Sequence, residues 1–531
     1  MKLDSAFKEW IKLLGQSLVF DREAAQLDYG RCTTGIGRRL AGALRPTDRH
    51  NIVSIVKIAA NYKVSLYPIS TGHNWGYGTA LPPADNCVIL DLSKLNQIVD
   101  FDVETGLLTI EPGVTQGQLA EFLDRGDYPY MVPVTGAGPT CSILGNALER
   151  GYGITPIADH FGAVMTIQAV LPDGSIYRSA LTDLGGEQID RTFKWGVGPY
   201  LDGIFSQGSF GIVTQMSIAL ARRPESIQSF LFGLGQPEQL SGLVTHVREI
   251  ISRYPGIVGG INLMNAHRVL AMTVPYPRNR VALGETISPE ILAELCRDNQ
   301  VMPWTGFGTL YGSTGVVKVV RREIRAILAP LTTRLVFVSP EHARTLARIG
   351  KLLPNYFRSR VTRKLEMLER SSQLVAGYPN QTALPLCYWL KSNSQRNAVM
   401  DPARDGCGLI WYAPLVPMKS DSVFRYVQLV SAIMTKYKLE PLMTLTSLSN
   451  HCFDSTVPLL FDLDSEKDQK NAENCYWELL EKGKDHGFLP YRVSIQTMKW
   501  LSENNSPYWQ VVRKIKESLD PLKTISPGRY V

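Results

Sequence analysis

The 531-residue sequence predicts an α+β protein. Three observations predict it. Short β-like runs alternate with helical periodicities from the start, glycine-dense stretches at 70–78 and 136–153 punctuate them, and the C-terminal tail returns to loop-like sequence around Leu519-Asp520-Pro521 and Ser526-Pro527-Gly528-Arg529-Tyr530. A hydrophobic share of 44% with 20% charged residues excludes a mainly disordered chain. Length alone, at roughly 150 residues per domain, allows three or four lobes.

In chain order, Leu3, Phe7, Trp10, Ile11 and Leu14 recur at helical spacing and predict an amphipathic N-terminal helix that docks on its own protein. Residues from about 49 to 61 predict a second helix, opened by Asp48 or the preceding Thr47 as cap after Pro46. Val64–Ile69, Val88–Leu92, Gln97–Phe101 and Leu107–Glu111 predict strands, and Gln116–Leu123 returns to helical spacing. Ala163–Leu171 and Ser175–Arg178, joined by Asp173-Gly174, predict a hairpin. The first half closes near Arg222-Arg223-Pro224; beyond it Val317–Leu328, Ser422–Tyr437 and 466–486 predict longer helices. With no internal repeat and no low-complexity linker, the lobes are expected to pack against each other.

Charge and cysteine usage narrow the class. The formal charge of +7, from 56 basic and 49 acidic residues, is mild, and the densest basic stretch, Arg321, Arg322 and Arg325 around Glu323, reads as a solvated face. Nucleic acid is not an expected partner. No run of 18 apolar residues predicts a membrane span, and the charged N-terminal stretch does not read as a signal peptide. The eight cysteines are scattered without a Cys-x-x-Cys, which predicts free thiols in a reducing, cytoplasmic setting. The eight histidines form no ligand pair, so no metal site is expected.

The glycine loops decide the rest. Ser70-Thr-Gly-His-Asn-Trp-Gly-Tyr-Gly78 holds three glycines in nine residues, a composition that lets backbone N–H groups approach phosphate oxygens, although such loops are more often tight turns. No Walker loop is present. The dinucleotide fingerprint fails too: Gly306-Phe-Gly308 is followed by Tyr311, and Gly136-Ala-Gly138 by Cys141, where a third glycine belongs.

The stretch Pro68–Gly78 instead resembles the pyrophosphate loop of the FAD-linked oxidases of the vanillyl-alcohol oxidase and p-cresol methylhydroxylase family. The resemblance continues through Val88–Leu92, Glu111-Pro-Gly-Val114, Leu144–Gly153, Thr155-Pro156 with Asp159-His160, Gly198–Gln207, Gly211-Ile-Val213, Trp411-Tyr-Ala-Pro414, Tyr491-Arg492 and Pro527-Gly-Arg-Tyr530. It implies a two-domain PCMH-type FAD-binding fold. Residues 1–225, completed by 490–531, would form the FAD domain, and 226–489 a separate α+β cap that binds substrate. By the same resemblance Ser70, Thr71, Gly72, His73, Asn74, Trp75, Gly76 and Gly78 would bind the pyrophosphate. Gly145, Asn146, Glu149, Arg150, Gly151 and Gly153 would line the FAD, with Ile212 and Val213 near the adenine and Arg529 closing the site. Asp159-His160 would stand beside the flavin or serve as a satisfied structural pair.

In phenol-oxidising members, two tyrosines and an arginine at the positions of Tyr77, Tyr491 and Arg492 hold the substrate as phenolate. A permanently charged guanidinium with two hydroxyl donors favours the ionised phenol. The resemblance therefore implies hydride removal from the benzylic carbon of a 4-hydroxyphenyl substrate through a quinone methide, followed by hydration, desaturation or oxidative decarboxylation. A 2-hydroxy-acid oxidase or dehydrogenase and a degenerate flavin-binding subunit are the alternatives. Oxygen or an electron-transfer protein such as a cytochrome would reoxidise the flavin, and a homodimer is expected. Three departures stand out. Gly377–Leu384 and Val132–Gly136 lack the acid some relatives carry there, Ile157-Ala158 replaces an expected Tyr-Gly, and Leu409 stands where relatives link FAD covalently, which favours noncovalent FAD.

Overall fold

The computed structural model describes residues 2–282, 284–351, 355–391 and 398–531. The N-terminal helix Lys2–Leu14 buries Ala6 and Trp10 against the helix Asn51–Tyr62, and the Trp10 indole donates to the Ile55 carbonyl at 3.3 Å. That second helix starts later than its sequence suggests. Asp48 accepts the His50 N–H at 2.9 Å in a turn of its own, so it ends the preceding loop instead of capping the helix.

A four-stranded sheet follows, in which Gly42–Leu44 and Leu66–Ile69 flank Val88–Asp91 in parallel and Val19–Phe20 adds an antiparallel edge. Its strands are almost continuously buried, as strands covered on both faces must be. Next to it lies an antiparallel five-stranded sheet, ordered Ile98–Asp102, Leu107–Ile110, Ile212–Ala219, Val164–Val170 and Ile176–Tyr177. The last two strands form the expected hairpin, turning at Gly174 with φ +84°.

An eight-stranded antiparallel sheet dominates the second half. Its order is Arg334–Val338, Ser226–Leu234, Trp304–Gly312, Val258–Asn265, Thr444–Ser447, Cys452–Phe461, Gly408–Pro417 and Pro490–Arg492. Helices Gln239–Arg253, Thr314–Leu328, Ser420–Lys436 and Glu466–Asp485 bury their apolar stripes in a core that includes this sheet. Arg321 and Arg325 lie over the Phe337 ring at 5.2 and 5.4 Å, so part of the basic stretch is used in packing.

The chain then returns to the first half. After the helix Pro507–Leu519, Thr524 and Ser526 hydrogen-bond the backbone of Leu66 at 2.7 and 2.8 Å, and Ile525 is fully buried. Lys516 anchors this tail by donating to the carbonyls of Ser209 and Ile525 and to Asp520 at 2.6, 2.8 and 2.6 Å. Among the described residues no helix is long and apolar enough to cross a membrane.

Candidate functional site

Where the two halves meet, a cavity of about 440 Å³ opens between the glycine loops and the eight-stranded sheet. Of the sequence-predicted residues, Ser70–Trp75, Tyr77, Gly145, Asn146, Glu149, Gly151, Gly153, Val213, Tyr491, Arg492 and Arg529 line it. Gly76, Gly78, Arg150, Asp159, His160 and Ile212 do not lie on its wall. At Gly76 and Gly78, the Trp411 and Ile495 side chains occupy the space a Cβ would need. The Arg150 Nε donates to Ser206 Oγ at 3.0 Å, and Ile212 is buried in the core of the parallel sheet. Asp159 is exposed and accepts the Gly162 N–H at 2.8 Å. His160 is buried behind Gly153, with its Nδ1 accepting from Asn146 at 2.7 Å. Burial pushes His160 down to about 4, so it is neutral at physiological pH.

Tyr491 and Arg492 occupy a half-buried edge strand, where the surrounding sequence alone would suggest a surface loop. Ala413 on the neighbouring strand pairs with Arg492, and three residues further on the Ile495 N–H bonds the Tyr77 carbonyl at 3.0 Å. This places the Arg492 guanidinium 4.1 Å from the centre of the Tyr77 ring. Tyr491 packs edge-on against Tyr152 at 5.5 Å. Burial raises the hydroxyls of Tyr77 and Tyr491, which keeps both as donors.

Glu149 joins the two arginines. Its carboxylate pairs with Arg492 Nε at 3.1 Å and with Arg529 Nη2, while Arg529 Nη1 donates to the Tyr67 hydroxyl at 3.3 Å. Burial works to raise the Glu149 carboxyl, but Arg529 and Arg492 together hold it below its usual range. Two guanidinium groups against one carboxylate leave a positive excess, suited to an anion.

The structure adds an acid that the sequence reading missed. Asn262, Thr446 and Asp454 stand opposite one another on three adjacent strands, and all three line the cavity. Asp454 is 4% exposed, and its Oδ1 meets no donor. Burial raises it to about 7, against the opposing pull of Arg492. Meanwhile the stretches lacking an acid supply Thr135, Gly136, Ala383 and Leu384 to the wall. The carboxylate absent there enters from the ceiling. Its only sequence signal was the one ionisable carboxylate in the strand Cys452–Phe461.

Two thiols, Cys141 and Cys387, also line the cavity; burial raises both, Cys387 to about 12. All eight cysteines are unpaired. Among the described residues no group of three His, Cys, Asp or Glu is placed to hold a metal.

The wall fits a dinucleotide cofactor. It combines backbone-rich turns, a left-handed Gly72 with φ +70°, and a buried Trp75 Nε1 that meets no acceptor. The FAD binding domain family matches residues 40–180. The chain is 32% identical to a 1'-carboxy-chondrochloren decarboxylase of Chondromyces crocatus, over 99% of this chain and 97% of that protein. It is 26% identical to the 4-cresol dehydrogenase [hydroxylating] flavoprotein subunit of Pseudomonas putida, over 99% and 95%. Its fold superposes on p-cresol methylhydroxylase with substrate bound at a TM-score of 0.87 and 23% identity, covering 100% of this chain and 96% of that one.

Proposed function

Because this chain belongs to the vanillyl-alcohol oxidase and p-cresol methylhydroxylase family of FAD-dependent oxidoreductases, we propose that its cavity oxidises the benzylic carbon of a 4-hydroxyphenyl substrate. The observation that carries this is the Arg492 guanidinium 4.1 Å over Tyr77, beside Tyr491, in a buried cavity that also contains an acid. Residues 1–225 with the returning tail form the FAD-holding part, and the eight-stranded sheet with its helices forms the substrate cap.

Ser70–Trp75, Gly145, Asn146, Gly151, Gly153 and Arg529 would hold the cofactor, which when bound supplies the hydride acceptor. The residues of the chain prepare the substrate. Tyr77 and Tyr491, kept protonated by burial, donate to the phenolic oxygen, and Arg492 supplies the fixed charge that favours phenolate. Asp454, titrating near neutrality, receives the phenol's proton at Oδ1. Phenolate electrons then push toward the benzylic carbon, which loses hydride and becomes a quinone methide. Where the adjacent carbon bears a carboxylate, that group leaves as CO2, its bonding electrons form an alkene, and the phenolate is restored. No protein acid at 377–384 or 132–136 is needed for this fate, and the Chondromyces relative is named a decarboxylase.

The Pseudomonas relative is named a flavoprotein subunit, which supports an electron-transfer partner as acceptor. Anaerobic titration of the flavin with para-substituted phenols and with D-lactate tests the reading: phenols should bleach it and D-lactate should not. Bleaching by D-lactate alone would transfer Arg492 to 2-hydroxy-acid binding.

A further inference from the structure

We propose that Arg268 is the anchor for an anionic substituent of the substrate, so that the enzyme prefers 4-hydroxyphenyl compounds carrying a carboxylate on the alkyl side chain. This rests on the phenol-oxidising function proposed above. Arg268 lies in the short cap helix Ala266–Thr273 and lines the same cavity as Tyr77 and Arg492. Its Nε and Nη1 are sealed from solvent and meet no acceptor among the described residues. Its surroundings give it nothing to neutralise it. The guanidinium sits 5.7 Å from the centre of the Trp411 ring, and among the described residues the one polar group that acts on it is the Cys387 thiol.

A buried guanidinium without a carboxylate is costly, because the desolvated charge is uncompensated. Burial lowers Arg268 only to about 10, which leaves it a cation at neutral pH. The two unpaired guanidinium nitrogens, with no acceptor beside them among the described residues, ask for an anion or another acceptor-rich group. Around them Leu384, Leu386 and Leu409 make the wall apolar, which suits an alkyl chain ending in charge.

The ligand is the substrate in preference to the cofactor, because Arg268 stands on a cap helix beside Trp411 and Cys387 of the cap, whereas the candidate phosphate-facing loop 70–78 belongs to the other half. The cavity then has two cationic poles. Arg492 receives the phenolate oxygen and Arg268 the carboxylate, with the benzylic carbon held between them.

The test uses FAD-loaded enzyme and two isosteric probes, 3-(4-hydroxyphenyl)propanoate and its uncharged propanamide, with affinity read from the flavin spectrum under anaerobic conditions. The propanoate should bind at least tenfold tighter. Arg268→Met should reduce that preference at least tenfold, and Arg268→Lys should restore part of it. A wild-type preference near one overturns the proposal even if neither variant folds, as does a preference that Arg268→Met leaves unchanged. If both probes perturb the spectrum with the charge preference intact yet no phenol reduces the flavin, the phenol-oxidising reading fails and the Arg268 anchor stands.

Discussion

Gly76 and Trp411 interlock across the two halves of the molecule. The Trp411 N–H bonds the Gly76 carbonyl at 3.2 Å, and a Cβ on residue 76 would stand 2.2 Å from the indole. Gly76 also has φ +78°, a region that penalises any side chain. Gly76→Ala therefore combines strain with overpacking and should destabilise the protein by about 1–3 kcal/mol. A thermal melt of the FAD-loaded variant, with retained flavin measured alongside, checks this; an unchanged melting temperature would contradict the contact.

Tyr491→Phe removes one of the donors assigned to the phenolate oxygen and leaves the apolar ring in place. Flavin reduction by a 4-alkylphenol should slow by about 10²–10³, the usual loss for one donor to a developing or bound oxyanion. Stopped-flow absorbance measures it, and the variant should keep its FAD, because the ring that packs edge-on against Tyr152 is retained.

Asp454 gives the site its pH dependence. As the base for the phenol it must be ionised, so reduction rates should rise with pH through about 7, and Asp454→Asn should flatten that limb. Stability runs the other way. The folded state holds this proton up to about 7, the unfolded chain only to about 3.9, so the stability associated with protonated Asp454 is complete below about 4 and is lost as pH rises through 7. The loss is on the order of 4 kcal/mol, and urea titrations from pH 4 to 8 should show it in the parent and not in Asp454→Asn.

Glu149→Gln removes the carboxylate that joins Arg492 and Arg529. Breaking a buried pair by deleting one partner costs about 3–5 kcal/mol, because the remaining charges stay desolvated. Chemical denaturation should register that loss. A variant as stable as the parent would mean that solvent compensates both guanidinium groups.

We propose noncovalent FAD: Leu409, which the family resemblance sets opposite the covalently linked residue, lines the cavity, and leucine offers no atom for a link. Acid precipitation should release all the flavin to the supernatant. Mass spectrometry should return the unmodified mass of the polypeptide.

Local order was legible wherever nearby residues determine it. The Asp173-Gly174 hairpin, the N-terminal helix and the strands at 66–69, 88–91 and 107–110 follow from turn chemistry and periodicity. The Tyr77, Tyr491 and Arg492 group was reached only through family resemblance, since 414 positions separate Tyr77 from Tyr491 and only the packed fold brings them together. Asp454 was missed because its properties come from burial in the packed fold and from the later Arg492, neither visible in the neighbouring sequence. Arg268, within Ala266–Thr273, reads as an ordinary polar position of an amphipathic helix until its sealed surroundings are seen. Asp159 and His160 illustrate the opposite case: adjacent in sequence, one faces solvent and the other sits behind a glycine.

The burial of Cys387 also bears on how long the enzyme lasts. A quinone methide is an electrophile that alkylates thiolates, and here it would form in a cavity walled by two cysteines. Burial raises the Cys387 thiol to about 12, which keeps it protonated and a poor nucleophile at neutral pH. The same desolvation that leaves Arg268 without a counterion keeps its neighbouring sulfur unreactive. A cavity walled this way would resist alkylation by an electrophile formed inside it.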